Sequence, residues 1–403
     1  MILVFFGGLC YIVDKNLEWE RIFVMKYIKG AKIIMPDGIV EGKALLFDDK
    51  IIGLVAERDV PEKAEMIDAT GCYVAPGLVD VHIHGYLGED ASDGTEEGIR
   101  KMAEGVIKNG VTAFLPTTMT VSIAEIEKAL DVVRSLQEES KTWNGAYLAG
   151  VNSEGPFINE SKKGAQAAEH IKAPDADWVL KNKDIIRICT IAPETEGGYD
   201  AIKKITEMSD VKVSVGHTDA TFEEAMKAFD CGATQVTHLF NAQTVLHHRK
   251  PGVVGAGLSS DKAYTELIAD TFHVNPGLYN LVYKCKKDKL VLITDCTRAG
   301  GMPDGEYTLG GQPIFVKGIQ CLLADGTIAG SVLKLNNAVK NFRDNTDIPL
   351  HEIVNAASLN PAKAVGLDTK GSLENGKDAD IIITDMNFDI KKTIIGGEIR
   401  YEA

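Results

Sequence analysis

His82-Ile83-His84 closes an apolar run that begins at Leu78. Two residues apart on a strand, the two imidazoles project from one face and can grip a metal ion. Other apolar runs close on similar groups: Glu154 in Asn152-Ser153-Glu154-Gly155-Pro156-Phe157, His217 in Gly216-His217-Thr218, His238 in Thr237-His238-Leu239-Phe240-Asn241-Ala242, then Asp270 and His273, and Asp295 in Thr294-Asp295-Cys296. Nitrogen and oxygen donors without a thiolate suit zinc, iron(II), manganese or cobalt, with zinc and iron preferred. Glu154, His217 and His238 would make a three-ligand site with room for water. His82 and His84 would hold a second ion, with Glu154 or Asp295 between the two. A bound divalent cation lowers the pKa of its water to about 7, so hydroxide becomes available at neutral pH.

Asp295 is the candidate general base. It would take a proton from that water as it attacks a carbonyl and return it to the departing amine, a role compatible with also being a ligand. His273 is a candidate neutral donor to the substrate or to a developing oxyanion. The loop Leu246-His247-His248-Arg249-Lys250-Pro251-Gly252 packs cationic and donor groups together. It suits a phosphate or carboxylate, with Arg249 able to bind two oxygens at once.

These groups can act together only if the strand ends share one rim. Apolar strand patterns fall at 78–84, 111–116, 147–151, 185–191, 211–216, 234–239, 265–269 and 289–294, with helical patterns at 96–109, 123–138, 198–208, 221–228 and 276–286. Eight strands with helical crossovers predict an α/β fold, a (β/α)8 TIM-type barrel, whose chemistry sits at the C-terminal ends of the strands. An open doubly wound sheet would carry a glycine-rich phosphate loop after its first strand, where this chain has His-x-His. Short strands and turns fill 26–75 and recur at 380–385 and 391–401, so both ends are expected to meet in one small β-sandwich. The expected division is an N-terminal extension at 1–25, sandwich at 26–75, barrel at 76–366 and sandwich again at 367–403. Met25, followed directly by a strand pattern, is read as the natural start.

With 45% hydrophobic and 25% charged residues, the composition is that of a soluble globular protein. A net charge of −15 argues against nucleic-acid partners and anionic membranes, yet leaves room for an anionic small substrate at a local basic cluster. The seven cysteines are scattered without a Cys-x-x-Cys pair, which suits reduced thiols in a cytoplasm. No apolar run reaches the roughly 18 residues that a membrane span needs.

Pro-Gly-Leu-Val-Asp-Val-His-Ile-His-Gly (76–85), Glu-Gly-Pro-Phe (154–157), Gly-His-Thr (216–218), Thr-His-Leu-Phe-Asn-Ala (237–242), His-His-Arg-Lys-Pro-Gly (247–252), the 294–305 segment and Leu-Ala-Asp-Gly-Thr-Ile-Ala-Gly-Ser (323–331) resemble the amidohydrolase superfamily, and within it the deacetylases of N-acetylglucosamine 6-phosphate. The resemblance runs from about residue 26 onward. It implies hydrolysis of the acetamide of that sugar phosphate to glucosamine 6-phosphate and acetate, a barrel with a β-sandwich, and a homodimer. It implies one or two divalent metals per subunit, with Glu154, His217 and His238 as ligands and Asp295 as the acid/base. Asn241, Ala242, Arg249 and His273 would contact the sugar phosphate, Arg249 by reaching across the dimer, while Ala165, Ile328, Ala329 and Gly330 would line the substrate site. Gln243 and Thr297 stand where the family often has methionine. Asp270-Thr271-Phe272-His273 lacks the usual glycine after the aspartate, which leaves a related amino-sugar phosphate or another small amide as the alternative substrate. A cyclic-amide hydrolase would carry a lysine at the end of strand four, and Ile188-Cys189-Thr190-Ile191-Ala192-Pro193 offers none.

Overall fold

A computed structural model of the chain describes residues 24–403 and, before them, the backbone of one antiparallel strand pair, Ile2–Phe6 with Leu9–Val13. The rest of the expected N-terminal extension, and with it the reading of Met25 as the start, lies outside the described residues.

Eight parallel strands form the barrel: β1 (Leu78–Ile83), β2 (Val111–Thr118), β3 (Val151–Ser153), β4 (Ile186–Ile191), β5 (Lys212–Val215), β6 (Gln235–Val236), β7 (Tyr264–Ile268) and β8 (Leu290–Ile293). Helices cover the outside of the sheet, so β1, β2 and β8 are buried at every position, which is why they read as unbroken apolar runs. The ring closes at the rim itself. The Asp295 N–H donates to the His82 carbonyl at 2.8 Å, and Ile83 pairs with Cys296.

Local chemistry sets the crossover helices. Ile123–Leu136 starts on a capping box between Ser122 and Glu125, and Phe222–Asp230 on one between Thr221 and Glu224. The first of these helices buries Ile126, Ala129, Leu130 and Val133, the i, i+3, i+4, i+7 stripe that faces the sheet.

Two strand expectations are corrected. The apolar run at 147–151 is not one strand. Tyr147–Leu148 pairs with β2, the chain then breaks at Gly150 with φ +124°, and β3 begins at Val151. The expected strand at 234–239 keeps a ladder only at Gln235–Val236, because His238 turns to φ +26°. Segments left unassigned by the strand and helix patterns also prove regular. They include the helices Gly252–Ser259, Leu335–Asp344, Leu350–Ala357 and Leu359–Ala364, and an antiparallel sheet of Gly305–Leu309, Gln312–Lys317 and Gln320–Leu322. That sheet packs Leu309, Ile314, Val316 and Cys321 with Met119, Ala165 and Ala329, forming a small core beside the rim.

Both ends of the chain build the sandwich. Tyr73–Pro76 lies between Lys32–Met35 (parallel) and Ile381–Thr384 (antiparallel), so a strand from the C-terminal end completes a sheet begun at the N-terminal end. Ile28, Leu45, Phe47, Val74, Ile381, Ile383 and Ile394 fill the space between this sheet and a four-stranded one.

At the end of β5 the chain needs glycine for space. A Cβ on Gly216 would lie 2.5 Å from Thr237 Cβ, and the Thr237 hydroxyl bonds Ser214 at 2.6 Å and Thr190 at 3.1 Å. Gly216→Ala is expected to cost about 1–3 kcal/mol, the usual range for overpacking a tight site. A urea denaturation midpoint equal to that of the unmodified chain would contradict it.

Candidate active site

Six side chains from five strand ends meet within the rim of the barrel. His82 and His84 come from β1, Glu154 follows β3, and His217, His238 and Asp295 follow β5, β6 and β8. All six are buried. His217, His238 and Asp295 take left-handed backbone conformations, φ +45°, +26° and +50°, which L-residues adopt at a cost of about 1–3 kcal/mol each. Those turns aim side chains inward that an extended strand end would direct elsewhere.

Glu154 stands at the centre. Its Oε1 is 2.8 Å from His238 Nε2, 3.1 Å from His217 Nε2 and 3.3 Å from His82 Nε2, while Oε2 is 3.1 Å from His84 Nε2. Asp295 Oδ1 is 3.2 Å from His84 Nε2 and 3.5 Å from His82 Nε2. The Nε2 atoms of His217 and His238 are 3.1 Å apart.

The far sides of the rings decide what the near sides offer. His84 Nδ1 lies 3.1 Å from the Thr117 carbonyl and His217 Nδ1 lies 2.9 Å from the Lys162 carbonyl. His82 Nδ1 is 3.0 Å from Glu266 Oε2. A carbonyl or carboxylate oxygen can only accept, so in each ring Nδ1 carries the proton and Nε2 of the neutral imidazole presents a lone pair. Three lone pairs thus face carboxylate oxygens, and His82 Nε2 is buried with no hydrogen-bond partner. Such an arrangement is repulsive unless protons or a cation fill it. His82, His84 and Asp295 offer one trio of ligand atoms within 4.8 Å of one another, and His82, Glu154 and His238 another. The donor set therefore fits a divalent metal.

The same imbalance appears in the acid–base behaviour. Burial pulls His84 down, but its hydrogen bonds to Asp295 and Glu154 outweigh that and raise it to about 10. Burial favours a neutral Glu154, yet the charges of His82 and His217 and the bonds from His217 and His238 hold it well below the usual carboxylate range.

Above the cage opens a cavity lined by His84, Glu154, His217, His238 and Asp295 and also by Ala165, Asn241, Ala242, His273, Ile328 and Gly330. Ala329, expected to line it, is fully buried in the small core beneath. Arg249, expected to contact the substrate, sits on an exposed loop and is not part of this chain's cavity wall. At His273 the expectation of a neutral donor is corrected. Its Nδ1 is 2.6 Å from Asp270 Oδ2, so the neutral ring presents a lone pair to the cavity and donates there only as the imidazolium. Asp270 Oδ1 also accepts the N–H groups of Phe272 and His273, each at 2.8 Å. Thr271, which stands in place of a glycine, is forced to φ +68°, an outlier for a β-branched residue.

Pattern reading of the strand ends passed over two further residues. Gln166 donates to Glu154 Oε2 at 2.7 Å and accepts from the Thr120 N–H at 2.6 Å. Glu266 accepts from the His82 ring, and its signal was present in the sequence as an acid inside the apolar β7.

The amidohydrolase family model matches residues 73–400. The chain belongs to the amidohydrolase family. Among relatives of this amidohydrolase, the N-acetylglucosamine-6-phosphate deacetylase of Lysinibacillus sphaericus is 36% identical, over 94% of this chain and 99% of its own. The N-acetylgalactosamine-6-phosphate deacetylase of Escherichia coli O157:H7 is 34% identical, over 92% and 98%. The crystal structure of N-acetylglucosamine-6-phosphate deacetylase from Pasteurella multocida superposes with a TM-score of 0.89 at 32% identity, over 94% of this chain and 100% of that one.

Metal loading of this amidohydrolase should release protons. His84 is raised to about 10, so the metal-free ring is protonated below that pH, and a cation must displace the proton to reach Nε2. Titrating zinc into metal-stripped protein in weak buffer at pH 7.5 should acidify the solution, and apparent affinity should rise with pH. Binding without proton release, or affinity independent of pH between 6 and 8, would contradict the cage.

Proposed function

We propose that this amidohydrolase hydrolyses the acetamide of N-acetylglucosamine 6-phosphate, giving glucosamine 6-phosphate and acetate as a step in amino-sugar breakdown or recycling. The observation that carries the reading is the buried cage of four imidazoles and two carboxylates that opens on a cavity. The substrates in the names of its relatives supply the identity of the amide.

Glu154, His217 and His238 would hold one divalent cation, with His82, His84 and Asp295 available for a second; zinc or iron(II) suits the donors. When bound, the cation supplies Lewis acidity and makes water a nucleophile at neutral pH. Asp295 does the proton work. Its carboxylate lines the cavity, takes the proton of the attacking water, and delivers it to the nitrogen as the C–N bond breaks. His273, held by Asp270, is the cavity-wall group that meets the substrate from β7. Ala165, Ile328 and Gly330 shape the wall, with Ala329 packed behind them. Asn241 and Ala242, on the cavity wall, would contact the sugar phosphate. Arg249, exposed and away from its own cavity, would complete the phosphate site in a second copy of the chain, which makes the working form a homodimer. The setting is the cytoplasm. Among the described residues no helix is long and apolar enough to cross a membrane.

A related amino-sugar phosphate is the second reading. It is favoured by the left-handed Thr271 beside His273 and by the galactosamine compound named for the E. coli relative.

Acetate release tests the assignment. Metal-loaded protein should turn over N-acetylglucosamine 6-phosphate far faster than the unphosphorylated sugar. Asp295→Asn should lower turnover by about 10²–10⁴-fold, the usual worth of general acid/base assistance. Near-normal turnover in that variant would remove Asp295 from the reaction, and equal rates on both sugars would remove the phosphate site.

A further inference from the structure

Glu266 is a charged side chain in the middle of a buried strand, flanked by buried Thr265 and Leu267. It is 1% exposed and does not line the cavity, so it cannot touch a substrate held there. A buried carboxylate is costly, and an apolar residue of similar volume at such a place is often neutral or stabilising. Here the cost is only partly met within the strand. Oε2 accepts from His82 Nδ1 at 3.0 Å and from the His238 backbone N–H at 3.1 Å, while Oε1 has no hydrogen-bond partner. Fold stability alone does not account for it.

Its two bonds reach both halves of the cage. One fixes the tautomer and orientation of His82, leaving Nε2 toward Glu154 and Asp295. The other holds the backbone N–H of His238, the residue that turns to a left-handed conformation. With Glu154 and Asp295, Glu266 makes three buried carboxylates gathered around the His82 ring.

We propose that Glu266 is a positioning residue that holds His82 for metal binding and thereby decides whether the chain retains a second divalent ion, at His82, His84 and Asp295. The proposal rests on the metal-dependent reading above. Removing the carboxylate frees the His82 ring to rotate or change tautomer, and the ion with His82 among its ligands is lost first. The ion at Glu154, His217 and His238 keeps all three of its side chains and loses only the bond from the His238 backbone N–H, so it is weakened less.

The test counts zinc per chain in full-length protein equilibrated against buffered zinc, for the unmodified chain, Glu266→Gln and Glu266→Leu. The unmodified chain should hold two ions and Glu266→Leu one. Glu266→Gln, which keeps an acceptor for the His82 N–H but loses the charge, should hold the second ion about 10–100-fold more weakly, the usual cost of altering a residue behind a metal ligand. Ring ¹⁵N shifts should report His82 protonated at Nδ1 in the unmodified chain and a mixture of tautomers in Glu266→Leu, a change that a purely structural role would not cause. Two ions at unchanged affinity in both variants would overturn the proposal. So would loss of both ions together with a lower urea midpoint, which would make Glu266 a general structural support. If Glu266→Leu does not fold, the Glu266→Gln affinity decides alone: tenfold weakening supports the proposal and an unchanged value overturns it. One ion in the unmodified chain would overturn it together with the two-ion reading. Acetate release by the unmodified chain, measured on the same samples, tests the deacetylase reading separately.

Discussion

The structure depends on an electrostatic imbalance at the barrel rim. Imidazole rings whose Nδ1 protons are committed to carbonyls or to a carboxylate turn their Nε2 lone pairs toward Glu154 and Asp295. With every ring neutral, lone pair would face lone pair at about 3 Å, so the cage rests only when protons, as on His84, or a cation fill it. A divalent cation converts each of those contacts from repulsion to ligation. The same balance explains why burial alone does not set the protonation of this site: the groups answer chiefly to one another.

Much of the local backbone follows from that demand. Strand ends point side chains alternately in and out, and six ligating groups from five ends do not converge by alternation alone. The left-handed turns at His217, His238 and Asp295 supply the missing rotation. Gly216 lets β5 approach β6 closely enough for their histidines to meet. Closure through the Asp295 N–H and the His82 carbonyl makes the last ligand strand dock on the first, which brings Asp295 against His82 and His84. Several of the left-handed non-glycine residues therefore sit where the chemistry is.

Much of this was legible in the residues. The apolar runs of β1, β2, β4, β5, β7 and β8 showed an alternating α/β chain, and the barrel then named the rim and its ligands. What escaped had physical causes. Gly150 interrupts an apolar run whose character does not change across the break, so composition hides the end of one strand and the start of another. His238 leaves β6 early because its side chain must turn inward, and a propensity argument cannot see that. Gln166 and Glu266 act on ligands rather than as ligands, and their partners lie far away in sequence. Thr271 was visible as a missing glycine, but the resulting positive φ emerges only from the folded loop. The membrane-excluding and nucleic-acid-excluding readings rested on bulk charge and run length, which need no fold.

The central claim is that a cation resolves the cage, and thermal unfolding with and without metal tests it most directly. Protein equilibrated with zinc at about 100 times its dissociation constant should gain about 2.7 kcal/mol over the chelator-stripped form, a rise of several degrees in Tm, because the unfolded chain has no cage to bind it. A stripped protein that melts at the same temperature as the loaded one, or higher, would contradict the account.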